Sequence, residues 1–267
     1  MLRVKRKRGS GSEAAARGAP LGAEGSRRRP RTAQGGCGRG RDRAARAREV
    51  LRRLARAYPD ATTTTLSHKD PFELLAATML SAHSTDRRVN IVTPALFRRF
   101  PDVRALAAAE PAEVEPLIRS CGLFRTKARN LVKAARALLE RHAGEVPADR
   151  AALEALPGVG RKTASVVLAV AHGEPAIAVD THVQRVANRL GLACAKAPAK
   201  TEAQLEEVIP PAERRAAHHR LIGHGRKVCK ALRPRCADCV LRDLCDHYAH
   251  LARGAERSGG VGIARPR

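Results

Sequence analysis

From about Arg43 onward, apolar residues recur at the three- and four-residue spacing of amphipathic helices. Each such segment is bounded by Pro, Gly or Asp, which are residues that begin or end helices. The chain shows no alternating run of strand length and no internal repeat, so the pattern predicts an all-α fold. The predicted helices are residues 44–58, 72–82, 88–99, 103–108, 111–120, 126–142, 149–156, 161–172, 181–190, 201–209 and 211–223.

Two predicted helices carry specific signals. Asp70-Pro71 is a typical N-cap followed by proline at the first helical position, and it predicts the start of helix 72–82. Helix 161–172 is apolar nearly all round, which indicates a central buried helix. Apolar residues make up 43% of the 267 residues but aromatic residues only 2%, so the core must use Leu, Val, Ile and Ala. The length allows one large domain or two small ones.

The charge indicates a polyanionic partner. The formal net charge is +25, which favours nucleic acid, although a ribosomal or membrane-surface protein can also be this basic. No apolar run approaches the roughly 18 residues that span a bilayer. Residues 1–48 hold fifteen Lys or Arg against three acids. We expect residues 1–42 to form a disordered basic tail that strengthens DNA binding; a targeting segment and a misplaced start are the alternatives.

A glycine hairpin, Pro157-Gly-Val-Gly160, precedes the predicted helix 161–172. Gly158 and Gly160 permit backbone conformations and a close approach that a side chain would prevent. The hairpin leads into a helix N-terminus, where free N–H groups and the helix dipole favour an anion. With Arg161 beside it, the hairpin predicts a site for a DNA phosphate, although most such motifs are only turns between helices.

Lys162 and Asp180 supply the candidate chemistry. Lys162 falls in the first turn of an apolar helix, so we expect burial and the positive helix end to lower the pKa of its amine. An unprotonated lysine can attack a sugar C1′ and form a Schiff base, whereas a solvated lysine would do nothing. Asp180 precedes Thr-His-Val and is a predicted N-cap. Capping would also fix its carboxylate for handling a proton or facing a sugar cation.

Four cysteines near the C-terminus indicate a metal centre. Their pattern is C-x6-C-x2-C-x5-C, and a chain without a secretory signal favours metal ligands over disulfides. The cluster has one short Cys-x2-Cys pair instead of the two that zinc ribbons generally use. The spacing therefore favours a [4Fe–4S] cluster and leaves zinc open. The candidate ligands are Cys229, Cys236, Cys239 and Cys245.

These motifs make the chain resemble the bacterial endonuclease III family, within the helix–hairpin–helix DNA glycosylase superfamily. The resemblance runs from about Arg43 to Tyr248. The motifs that carry it are Leu80-Ser-Ala-His-Ser-Thr-Asp86, Leu156-Pro-Gly-Val-Gly-Arg-Lys-Thr-Ala164, Val179-Asp-Thr-His-Val183, His224-Gly-Arg226 and the four cysteines.

The resemblance implies two helical domains with a DNA-binding groove between them. One is a six-helix barrel that contains the helix–hairpin–helix, at residues 64–174. The other, residues 43–63 and 175–250, holds a [4Fe–4S] cluster on the four cysteines, and residues 251–267 form a flexible C-terminal tail. The resemblance also implies a monomer in the bacterial cytoplasm, associated with the nucleoid and not with a membrane.

The implied activity is base excision repair of double-stranded DNA. The enzyme would remove oxidised pyrimidines as an N-glycosylase and would cleave 3′ to the abasic site by β-elimination, as an AP lyase. Lys162 would be the nucleophile that forms the Schiff base, and Asp180 would assist it. The residues expected to contact DNA are Gly158, Val159, Gly160, Arg161, His83, Leu123 and His182.

His83 departs from the family pattern. The family uses a glutamine at this position and a leucine, here Leu123, to fill the gap that a flipped-out nucleotide leaves. Histidine can also hydrogen-bond and stack on the orphaned base, so we expect an altered preference for the opposite base.

Three other functions are compatible with parts of the sequence. Adenine glycosylases of the superfamily share the hairpin and the cysteines, but they lack the lysine and carry a further C-terminal domain. A uracil or thymine-mismatch glycosylase is a closer alternative. A non-catalytic iron–sulfur DNA-binding protein is the alternative outside enzymology.

Overall fold

The computed structural model describes residues 40–257, and all regular structure in that range is helical, which confirms the all-α prediction there. None of these helices is long and apolar enough to cross a membrane. Two short 3-10 turns, Pro211–Glu213 and Arg242–Leu244, accompany the α-helices. The α-helices are α1 Gly40–Ala57, α2 Pro71–Ser81, α3 Asp86–Arg99, α4 Val103–Ala108, α5 Pro111–Ile118, α6 Phe124–His142, α7 Arg150–Glu154, α8 Arg161–Ala171, α9 Thr181–Arg189, α10 Pro198–Glu206, α11 Arg214–Lys227 and α12 Asp246–Arg257.

The caps explain why most predicted boundaries agree with the structure. The Asp70 side chain accepts a 2.8 Å hydrogen bond from the Glu73 N–H, and Pro71 fills the first helical position, so α2 begins as predicted. Every residue from Phe72 to Leu80 is buried. Helix α8 is buried from Ala164 to Leu168 and beyond, and it packs against α2 at the centre of the fold.

Several boundaries were predicted wrongly. Helix α10 begins at Pro198 instead of residue 201, because proline is accommodated at the first helical position. The predicted helix 211–223 is a 3-10 turn followed by α11, which continues to Lys227. Gly225 lies inside α11 where a Cβ atom would come within 3.0 Å of the His182 Cβ, so the glycine permits close packing on α9 and does not end the helix.

Two predicted tails extend beyond the described residues. Residues 1–39 and 258–267 lie outside the structure, and the predictions of a disordered tail at 1–42 and a flexible tail at 251–267 concern mainly these segments. Where the structure does describe them, the chain is helical: α1 begins at Gly40, and α12 continues through residue 257.

Buried side chains form two separate cores. The first core, within residues 66–176, joins α2 to α8 around fully buried leucines such as Leu80, Leu96 and Leu138. The second core joins residues 177–241 to the apolar face of α1, where Ala47, Val50, Leu51 and Leu54 are at most 2% exposed. Cys229, Cys239 and Cys245 pack against the second core.

Candidate active site

The glycine hairpin joins α7 to α8. Gly158 has φ +80, and a Cβ there would lie 2.7 Å from the Asn130 Nδ2 of α6, so conformation and packing both require glycine. Val159 is 6% exposed and points into the first core, which leaves only its backbone available to a ligand. Gly160 caps α8 without a side chain, and the space beside it is open. The first N–H groups of α8 thus face an accessible position suited to an anion.

Lys162 is the second residue of α8, and it is exposed. The prediction that its side chain would be packed against protein is therefore wrong. Burial begins at Ala164. A nucleophile at this position is open to a macromolecular substrate.

Asp180 caps α9, as predicted. Its Oδ1 accepts 2.8 Å hydrogen bonds from the N–H groups of His182 and Val183. Both cap bonds fall on the same oxygen, and no donor among residues 40–257 is hydrogen-bonded to Oδ2. The carboxylate is thus held by one oxygen while the other can engage a substrate or a proton.

His218 of α11 is a buried histidine whose pKa is shifted from its ordinary value. Its imidazole is buried, at 6% exposure, and its Nδ1 has no hydrogen-bond partner in the described structure. Burial lowers the pKa of His218; Asp180 and a hydrogen bond to the Ala178 backbone oppose this, and Lys162 and Arg226 add to it. The charges of both candidate catalytic groups therefore influence the protonation of this one buried ring.

His182 lies half-buried in the first turn of α9. The Arg185 guanidinium, which can only donate, lies 3.0 Å from the His182 Nδ1, so this nitrogen is the acceptor. Burial lowers the pKa of His182, with Asp180 opposing and Arg185 and Arg226 adding to the effect. The imidazole is consequently oriented beside Asp180.

Arg226 lines an open groove at the start of α3. Its guanidinium lies 3.7 Å from the Asp86 carboxylate, so α11 meets the start of α3. Hydroxyl, carboxylate and amide groups predominate along the groove, together with the exposed side chain of Ile91. The lining residues are Thr65, Ser84, Thr85, Asp86, Arg87, Asn90, Ile91 and Arg226.

Arg161 has a structural partner. Its Nε lies 2.6 Å from Glu202 of α10, a carboxylate whose side chain is 3% exposed, and Arg150 pairs with the same group at 3.3 Å. This arrangement joins both helices of the hairpin to the second core. Because nearly half of the Arg161 side chain remains exposed, the predicted phosphate contact is sterically open.

The two predicted gap-filling residues lie on adjacent loops. His83 and Leu123 are both exposed, and both have left-handed backbone, with φ 54 and φ 58. Gly122 lies so close to the His83 carbonyl oxygen that a Cβ would come within 2.7 Å of it. The structure therefore brings these two positions together, as the resemblance implied.

The four cysteines surround one cavity, which Arg189, His224 and Tyr248 also line. Burial raises the pKa of the Cys239 thiol to about 11, and the other three cysteines add to the effect. The Arg189 guanidinium lies 3.4 Å from the Cys229 Sγ, and the His224 Nε2 lies 3.5 Å from the Cys239 Sγ. Thiols in such a setting ionise readily only when a cation is bound.

Sequence reasoning missed three residues that support the site. His218, Glu202 and Lys127 are all buried polar residues within helices. Their partners lie at least 38 residues away along the chain, at Asp180, Arg161 and Ser84. The adjacent histidines 218 and 219 in an otherwise basic helix were the one available signal.

Comparison with known proteins agrees with this geometry. The family model described as "HhH-GPD superfamily base excision DNA repair protein" matches residues 76–211. Endonuclease III of Escherichia coli K12 is 48% identical over 199 residues, covering 74% of this chain and 94% of that protein. Endonuclease III of Synechocystis is 49% identical over 201 residues, covering 75% and 91%.

Solved structures show the same relationship. A trapped covalent intermediate of an endonuclease III with DNA has a TM-score of 0.73 and 45% identity, covering 78% of this chain and 98% of that one. A thermostable thymine-DNA glycosylase, at 23% identity, shares the fold with a TM-score of 0.70.

The fold and the hairpin thus define a helix–hairpin–helix enzyme of base excision DNA repair. The chain belongs to the endonuclease III family, and it is a DNA glycosylase and AP lyase.

Proposed function

We propose that the enzyme removes oxidised pyrimidines from double-stranded DNA through a Schiff base on Lys162, and then cleaves 3′ to the abasic site. The observation that carries this proposal is the placement of Lys162. This residue is exposed at the start of α8, directly after the hairpin.

Asp180 prepares and supports the reaction. Its Oδ2 accepts a proton from the amine or faces the positive charge that develops on the sugar as the base leaves. The Lys162 nitrogen then bonds to C1′ as the glycosidic bond breaks, and ring opening of the sugar converts this adduct to the imine. Abstraction of a C2′ proton from the imine expels the 3′ phosphate, which is the β-elimination step.

The DNA backbone is held by the N-terminus of α8. The open position beside Gly160 lets a phosphate approach the free N–H groups, and the helix dipole favours its charge. The damaged nucleotide is flipped out of the duplex to reach Lys162, and its extrusion costs a few kcal/mol. His83 and Leu123 enter the gap that remains.

We further propose that Cys229, Cys236, Cys239 and Cys245 hold a [4Fe–4S] cluster. The four cysteines line one shared cavity, which suits a group bound through four separate thiolates. The cluster would anchor the loop from Cys229 to Cys245 on the second core.

Borohydride trapping tests the Schiff base. Incubation with duplex DNA containing thymine glycol in the presence of borohydride should give a covalent protein–DNA adduct, because borohydride reduces the imine. Lys162→Ala should give none, whereas Lys133→Ala, which changes an exposed lysine of α6, should match the wild type. An adduct that persists in Lys162→Ala would show that another amine is the nucleophile.

Iron and sulfide content tests the cluster. Cys236→Ser should lose iron, sulfide and the visible absorption of the purified protein, because one ligand of the cluster is removed. Cys121→Ala alters a buried free cysteine of the first core and should retain all three. Full iron content in Cys236→Ser, or zinc in place of iron in the wild type, would contradict the assignment.

A further inference from the structure

His83 and Leu123 both have left-handed backbone, which is strained for residues other than glycine. A non-glycine residue in left-handed conformation costs about 1–2 kcal/mol. Such conformations persist where the surrounding structure imposes them, and they concentrate at functional sites. Here two of them lie on contacting loops, and both side chains are exposed.

The loops are joined directly through Ser84. Its Oγ accepts a 3.1 Å hydrogen bond from the Gly122 N–H, so the residue after His83 is bonded to the residue before Leu123. The close approach of Gly122 to the His83 carbonyl oxygen leaves no room for a side chain at position 122. The hydrogen bond and the close packing therefore join the two loops at this point.

A buried lysine completes the connection. Lys127 is 7% exposed, and its ammonium donates to the Leu80 carbonyl oxygen at 2.8 Å and to the Ser84 Oγ at 3.0 Å. Its backbone N–H donates to the Leu123 carbonyl oxygen at 3.0 Å, which closes the first turn of α6. One residue thus holds both sides of the His83 loop and the base of the Leu123 loop.

Packing alone does not require a charge at this position. Among the described residues, Lys127 has no carboxylate within ion-pair distance, and burial lowers the pKa of its amine. A methionine or leucine of similar volume would fill the space without the cost of desolvating an ammonium. What the lysine adds is its pair of directed hydrogen bonds.

We infer that Lys127 is a positioning residue that couples the His83 and Leu123 loops, so that both side chains enter the DNA gap as one unit. This inference rests on the proposed roles of His83 and Leu123 in filling that gap. It assigns Lys127 no contact with DNA and no part in the Schiff base. Substitution of Lys127 should therefore slow only the reaction on duplex DNA, in which a nucleotide is flipped out and the gap that it leaves is filled.

The test compares Lys127→Met and Ser84→Ala with the wild type, using Lys133→Met on the exposed face of α6 as the matched control. Excision of thymine glycol from duplex DNA should fall about tenfold in Lys127→Met, since a charge-assisted hydrogen bond is lost. Strand cleavage at an abasic site in single-stranded DNA should change by less than about twofold, because no opposite base is left unpaired. The double variant should be no slower than Lys127→Met alone, because both changes break the same connection.

Fluorescence of 2-aminopurine placed opposite a tetrahydrofuran abasic analogue gives a readout independent of chemistry. The change that wild-type binding produces should be diminished in both Lys127→Met and Ser84→Ala. Equal losses on duplex and single-stranded substrates, or an unaltered fluorescence change in both folded variants, would overturn the inference. If Lys127→Met does not fold, the fluorescence change of Ser84→Ala alone tests the inference. Absence of thymine glycol excision by the wild type would count against the proposed function, and the fluorescence experiment would still decide the coupling.

Discussion

At the proposed site, the two candidate catalytic residues are accessible, whereas the histidine whose pKa they influence is buried. Lys162 is exposed, and Asp180 keeps one carboxylate oxygen in its cap and the other available. His218 is buried, with Nδ1 unpartnered among the described residues. An uncharged imidazole in this position avoids placing a second positive charge near Lys162.

The buried imidazole makes stability depend on pH. Because burial lowers the pKa of His218 below its usual 6.5, the unfolded chain binds a proton more readily than the folded protein. The free energy of unfolding should therefore decrease as the pH falls below 6.5, by at most about 1.4 kcal/mol per pH unit from one histidine. Urea unfolding between pH 7 and pH 5 measures this slope.

Two variants test whether His218 causes this dependence of the free energy of unfolding on pH. His218→Gln should show a smaller loss of stability on acidification than the wild type, whereas His250→Gln, at an exposed position of α12, should behave as the wild type. An identical pH dependence in folded His218→Gln would exclude His218 as the source.

His83 is the residue at which substrate preference should differ from the family. His83→Gln should change the ratio of excision rates opposite adenine and guanine by about two- to tenfold, the effect of one altered hydrogen bond. Exposed His68, before α2, provides the control His68→Gln, which should leave the ratio unchanged. Equal ratios in wild type and His83→Gln would mean that His83 does not read the opposite base.

At the scale of elements, local chemistry made much of the fold predictable. Asp70, Asp149 and Asp180 each cap the helix that the sequence indicated, since capping depends on residues within three positions. The extension of α11 to Lys227 was not predictable, because Gly225 is explained only by its distance to His182. Helix α12 was missed, and it follows directly on the cysteine loop.

The site was less predictable than the helices. The residue types at Lys162 and Asp180 indicated the chemistry, but the exposure of Lys162 depends on how distant segments pack around α8, which the sequence pattern does not show. The buried partners Glu202 and His218 are recognisable only once distant segments meet, because a polar residue within a helix is ordinarily solvated.

The contact between the hairpin and α10 should contribute strongly to stability. Glu202→Gln leaves Arg150 and Arg161 without their buried partner and should lower the free energy of unfolding by about 2 kcal/mol, less than for a fully buried pair because both arginines are partly exposed. Glu154→Gln removes a more exposed partner, 3.9 Å from the same Arg150, and should cost no more than about 0.5 kcal/mol. Urea unfolding at neutral pH measures both; equal effects would contradict the role of burial.

For the whole molecule, the uneven charge should control how binding responds to salt. Deleting residues 1–39 removes eleven Lys or Arg and two acids while leaving α1 intact. Affinity for duplex DNA should fall, and the slope of log affinity against log salt should decrease by about 0.9 for each phosphate that this segment neutralises. A chain of full length with those eleven positions changed to Gln should reproduce the effect. An unchanged slope in both would show that this segment does not bind DNA.

The location of α1 has a consequence for synthesis of the chain. Ribosomes release α1 first, yet the apolar face at Ala47, Val50, Leu51 and Leu54 is buried only against residues 177–241. All residues of the first core, 66–176, emerge in the interval, so that core can assemble while the nascent chain grows. Throughout that interval α1 carries an uncovered hydrophobic stripe, the kind of surface that chaperones bind. Translational arrest before residue 177 would consequently leave a folded first core attached to an aggregation-prone helix.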